Sequence, residues 1–80
     1  MARIEVKLVA DRISTDEPVD LGLHTLEGDY NLTEAQALAA LKARPELGYK
    51  VEAGVLEFAG AIIPLADLRS LRAEIVSRYR

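Results

Sequence analysis

With no cysteine and a single histidine, His24, this chain has neither a disulfide framework nor a transition-metal ligand set to hold it together. Eighty residues must therefore fold on an aliphatic core, and a chain of that length buries only about 60% of the surface its unfolded form exposes. The hydrophobic share is 50%, which favours folding over disorder. Leu, Ile, Val and Ala supply nearly all of it, because Tyr30, Tyr49, Phe58 and Tyr79 are the only aromatics. A small domain of this kind gains stability by oligomerising or by docking in a larger assembly. Contact with a protein partner, or with itself, is the expectation that follows.

The same shortage limits the chemistry. Most nucleophilic and general acid–base catalysis uses Ser, Cys or His in clusters. Here the serines are only Ser14, Ser70 and Ser77. The expectation is a non-enzymatic protein with no catalytic residues, no cofactor and no metal. The start of the chain carries charges within its first apolar stretch, so it reads as no signal peptide, and no run approaches the length of a membrane span. The absence of cysteine then suits a cytoplasmic product. Rich in Arg, Glu, Ala and Leu and poor in Asn, Gln and Met, the composition resembles that of thermophiles.

Periodicity gives the elements. From Arg3 to Val9, Ile4, Val6 and Leu8 alternate with Glu5 and Lys7, a half-buried strand. Asp11 to Pro18 is a polar loop, and Val19, Leu21 and Leu23 alternate with Asp20, Gly22 and His24 in a second strand. Glu27-Gly28-Asp29 is a turn. Thr33 and Gln36 stand in capping-box register before a helical run through Arg44, which Pro45 stops. Ala35, Leu38, Ala39 and Leu41 are its expected core side. Period two returns from Tyr49, with Ala53-Gly54 and Ala59-Gly60 as candidate tight turns between short strands. After Pro64, residues Leu65, Leu68, Leu71, Ile75 and Tyr79 recur at spacings of three and four, which predicts a closing amphipathic helix. The expected fold is one α+β domain over 1–80, of order ββαββ(β)α. It has a small antiparallel sheet of four to five short strands and two helices packed on one face.

Each candidate site has a plainer reading beside it. His24 with Asp20 has the makings of a general base, yet a solvated strand residue explains His24 as well. Asp11, Asp16, Glu17 and Asp20 put several oxygen ligands in one loop, but without EF-hand spacing they form an acidic surface. Glu52 and Glu57 fall where a hairpin would set them opposite one another, though both alternate with apolar residues and so face water. The five glycines are scattered singly, so there is no phosphate-cradling loop.

Charge is uneven. Seven acids face three bases through Leu32, and six acids face seven bases after it. Arg69, Arg72, Arg78 and Arg80 beside Tyr79, with Lys42, Arg44 and Lys50 upstream, raise the alternative of a nucleic-acid-binding regulator. The net charge of -3 and the interrupting Asp67 and Glu74 favour a solvated helix face instead. The preferred site is a protein interface of Ile62, Leu71, Ile75, Val76 and Tyr79, rimmed by Arg72 and Arg78.

From Ala35 to Tyr79 the order of a helix, Gly48-Tyr49-Lys50-Val51, a glycine hairpin with Leu56-Glu57-Phe58, and then Asp67-Leu68-Arg69-Ser70-Leu71 with Ile75 resembles small phage head–tail joining proteins. The resemblance implies a virion-associated ring component. Two preceding strands, a hairpin lengthened by Ala61–Pro64 and the lack of a basic tail after Arg80 depart from that family. No site residue is carried over from it.

Overall fold

The structure is a computed structural model describing residues 1–80. Its element order is β1 (Ala2–Arg12), β2 (Val19–Gly28), α1 (Glu34–Lys42), β3 (Lys50–Glu52), β4 (Val55–Phe58), β5 (Ala61–Pro64) and β6 (Leu68–Tyr79). Single 3-10 turns at Pro45–Leu47 and Leu65–Asp67 punctuate it. The strands form two antiparallel three-stranded sheets, ordered β2-β1-β6 and β3-β4-β5. No helix is long and apolar enough to cross a membrane.

The expected pair of helices on one sheet is not what forms: 55% of the residues are strand, 19% are helical, and α1 is the only α-helix. The closing helix is instead β6. Pro64 opens just one 3-10 turn, and the chain then runs straight beside β1, with Leu8 opposite Ala73 and Val6 opposite Ile75. Leu71, Ala73 and Ile75 alternate with Arg72 and Glu74, so period two was present beneath the spacing of three and four. The β-branched Ile75 and Val76 favour the extended choice. β1 decides the matter. Ile4, Val6, Leu8 and Ala10 are wholly buried, and a buried strand needs hydrogen-bond partners on both edges. β2 supplies one edge and β6 the other. With β6 a strand, the helix–hairpin–helix order shared with head–tail joining proteins disappears.

β2 corrects a second expectation. The pairing jumps from Lys7 opposite Leu23 to Val9 opposite Asp20, leaving one extra residue in β2, and Gly22 there has φ 99°. That bulge reverses the parity of everything beyond it. Leu21 and Leu26 are buried and His24 is half-buried on the inner face, while Leu23 turns outward and is 60% exposed.

α1 begins as read. Thr33 Oγ1 accepts from the Gln36 N–H, and Gln36 Oε1 accepts from the Thr33 N–H, which completes the capping box. Its core side is rotated from the expected one: Ala37 and Leu41 are buried, whereas Ala35 and Ala39 are exposed. Glu34 in its first turn reaches β6, and Arg44, just past its last, reaches the Thr25 carbonyl of β2. The helix thus bridges the two margins of the large sheet.

Both Ala-Gly pairs close hairpins. Ala53 and Gly54 have φ 52° and 77°, and Ala59 and Gly60 have φ 50° and 83°, the two positive angles of a type I′ turn. The resulting small sheet turns Leu56, Phe58 and Ile63 against the inner face of the large one. Tyr49 meets Phe58 edge to face, ring centroids 5.1 Å apart. The inner face of β2-β1-β6, α1 and the small sheet therefore share one apolar core. The outer face, with Glu5, Lys7, Asp20, Arg72 and Glu74, stays open to water, as one face of an antiparallel sheet commonly does.

Candidate functional site

The seven residues expected to form an interface do not share one patch. Leu71 and Ile75 are half-buried and pack against the core from the inner face of β6. Val76 is the extra residue of a bulge, since Val6 pairs with Ile75 and Glu5 with Ser77, and it is 60% exposed. Arg72 points to the outer face. Tyr79 and Arg78 lie at the far end of β6: the Arg3 guanidinium stands 4.7 Å from the Tyr79 ring centroid, and Arg78 Nη1 donates to the Tyr30 carbonyl. Ile62, 68% exposed, belongs to the other sheet, opposite Glu57. Only Leu71, Arg72, Ile75 and Val76 are neighbours, along one stretch of β6, and they do not share a face.

The alternative sites dissolve on the same test. His24 and Asp20 face opposite sides of β2. His24 Nε2 donates to the Leu21 carbonyl at 3.0 Å, and Asp20 Oδ1 accepts from the Gly22 N–H at 2.8 Å. The acids of the first loop scatter, and no three His, Cys, Asp or Glu residues stand close enough to share a metal ion. Glu57 pairs with Lys50 and Glu52 with Val55, so the two glutamates are not opposite one another. Of the basic residues, Arg72 is taken by Asp11 and Glu74, Arg78 by Tyr30, and Arg80 lies over the Tyr30 ring at 4.3 Å.

What remains is the outer edge of β6. In an antiparallel strand, the backbone groups of successive residues point to opposite edges. Ile75 gives its N–H to Glu34 Oε2 at 2.9 Å and not to β1. By that parity Ala73 and Leu71 also turn their N–H and C=O groups away from β1, and no loop, cap or side-chain hydrogen bond uses them. Beside them runs a groove of about 260 Å³, lined by Glu34, Ala35, Leu38, Leu71, Arg72 and Ala73. One wall is the apolar flank of α1, the floor is the β6 edge, and the Glu34 carboxylate closes one end. An extended peptide laid there would find backbone partners and apolar side-chain contacts together.

The rim of this groove is held firmly. Arg72 Nε donates to Asp11 Oδ2 at 2.7 Å and its Nη2 to Oδ1 at 3.3 Å, while Ser70 Oγ donates to the same carboxylate at 2.7 Å. The hydrogen bond from Arg72, then that from Ser70, draw the Asp11 carboxyl down to about 2, and Asp11 in turn raises the guanidinium. Before β6 begins, Asp67 accepts from the Ser14 hydroxyl and N–H, both at 2.8 Å, and from Arg12 Nε at 2.6 Å. Those bonds, Ser14 first, lower its carboxyl as well.

The edge escaped the sequence reading because a helix has none. Its signal was the alternation Leu71-Arg72-Ala73-Glu74-Ile75. Compared with protein-family models, curated proteins and solved structures, the chain matches none.

Proposed function

We propose that this protein is a non-enzymatic interaction module that docks a protein partner by strand addition in the groove between α1 and β6. One observation carries the reading: Leu71 and Ala73 offer unused backbone donors and acceptors beside the apolar flank of Ala35 and Leu38. Strand addition takes affinity from main-chain hydrogen bonds and specificity from the alternate side chains, so it needs none of the reactive groups this chain lacks. The engagement of Arg72, Arg78 and Arg80 by neighbouring groups counts against the nucleic-acid alternative, which needs guanidinium groups free for phosphates.

The test is a selection from displayed ten-residue peptides against immobilised protein, followed by amide shift mapping of the strongest binder. Shifts concentrated at Ala35, Leu38, Leu71 and Ala73 are the expected result. Binding that maps to the outer face or to the small sheet overturns the assignment, as does a selection that yields no binder.

A further inference from the structure

The docking reading leaves the occupant of the groove open, and β6 itself has the chemistry to fill it. We infer that a second copy of this chain pairs through its own β6, antiparallel, about a two-fold axis at Ala73. This inference rests on the docking reading and names its partner.

The register follows from the residues. Pairing centred on Ala73 sets Arg72 of one copy opposite Glu74 of the other, twice, on the outer face. On the inner face it sets Leu71 opposite Ile75. Opposite charges and apolar pairs directly across an antiparallel ladder are each favourable, and Arg72, bonded to Asp11 and Glu74 of its own chain, then adds the facing Glu74 to its carboxylate neighbours. Shifting the axis one residue to Arg72 would instead set two guanidinium groups face to face. The strand is thus self-complementary in one register, as an isologous interface requires.

The helices agree with this arrangement. A two-fold axis normal to the sheet keeps both copies of α1 on the same side, flanking the axis. Ala35 and Ala39, one turn apart on the exposed flank of α1, with Leu38 between them, offer small side chains where the two helices approach. The result is a continuous six-stranded sheet with the two apolar cores on one side.

Glu34 sets the strength of the assembly. In the single chain its carboxylate accepts the Ile75 N–H. In the dimer that N–H belongs to the Leu71 carbonyl of the other copy, so Glu34 must withdraw before the ladder closes. It acts as a guard on the edge, one of the ways proteins restrain edge-to-edge pairing. Removing it should tighten the dimer, the opposite of what loss of an ordinary stabilising contact does.

Analytical ultracentrifugation of the full chain from about 5 µM to about 1 mM spans the range in which small interfaces assemble. The expected result is a reversible monomer–dimer equilibrium, tightened about tenfold by Glu34→Ala and weakened about tenfold by Glu74→Arg. Because the chain has no cysteine, a spin label on Val76→Cys is unique in each copy. Six residues of ladder between the two labels predict a separation of about 20 Å. A strict monomer throughout, an unchanged or weaker Glu34→Ala dimer, or a label distance far from that value each overturns the self-pairing. If self-pairing fails while selected peptides still map to Leu71 and Ala73, the docking reading stands and only the second copy is wrong. Failure of both removes the groove from consideration.

Discussion

The two margins of the large sheet are built from strands of similar length but treated differently. Along β2, side chains of the same molecule take up three backbone groups. Arg44 donates to the Thr25 carbonyl, His24 to the Leu21 carbonyl, and Asp20 accepts the Gly22 N–H at the bulge. Along β6, the one outward group so occupied is the Ile75 N–H, held by Glu34. A bulge, charged side chains and covering contacts are the usual means of keeping an edge from recruiting another strand. β2 carries them at three places with Leu23 bare between them, while β6 carries a bulge at Val76 and one guard at Ile75 and leaves Leu71 and Ala73 bare.

The largest expected effect falls on the strand both margins share. Leu8→Ala empties a fully buried site on β1 and should cost about 2–5 kcal/mol in urea unfolding, loosening β2 and β6 alike. Hydrogen exchange that rises on one margin alone would break the picture of a common spine. Gly22→Ala comes next. With φ at 99° the alanine is strained, and its Cβ would lie 3.4 Å from His24 Nε2. A loss of about 1–3 kcal/mol is expected, confined to β2, with β6 amide shifts unchanged. Arg44→Ala should cost roughly 1 kcal/mol and bare the Thr25 carbonyl. If strand sealing is what distinguishes the margins, this variant makes β2 newly able to self-associate, visible by light scattering.

Acid is the mildest probe. The Asp11 carboxyl is held at about 2, against 3.8 for an unperturbed aspartate. Its contribution is therefore fully present above about pH 4 and fades as pH falls toward 2. Asp67, also lowered, acts in the same direction. Since Asp11 ties down Arg72 and Ser70, β6 amides should lose exchange protection in that window before β2 amides do. Simultaneous loss would show that the carboxylates do not distinguish the margins.

Much of the molecule was legible in its residues. Alternation through Ile4, Val6 and Leu8 marks β1, Thr33 with Gln36 marks the start of α1, and the two Ala-Gly pairs mark the hairpins. Two things were hidden. Gly22 shifts the phase of β2 by one residue, and a local window cannot tell a strand that stays in phase from one that slips. Leu65 through Tyr79 satisfies both periods, so its state depends on β1, far away in the chain. The run Leu8-Val9-Ala10, buried on both faces with Val9 2% exposed, was the clue that β1 is central and needs a second neighbour. Of the residues that line the groove, Leu71 and Arg72 could be singled out. That the edge of a strand brings them together could not, because the neighbours that define an edge are tertiary.

That dependence of β1 on a remote neighbour has a consequence for how the molecule is born. Arg72 and Asp11 stand 61 residues apart in the chain. On the ribosome, β1 and β2 can zip together early, while the other side of β1 waits, naked and greasy, until the segment carrying β6 emerges. Closing so long a loop is slow relative to forming a local hairpin. The nascent polypeptide therefore passes through an interval in which its most hydrophobic strand is a target for chaperones, and for stray copies of itself.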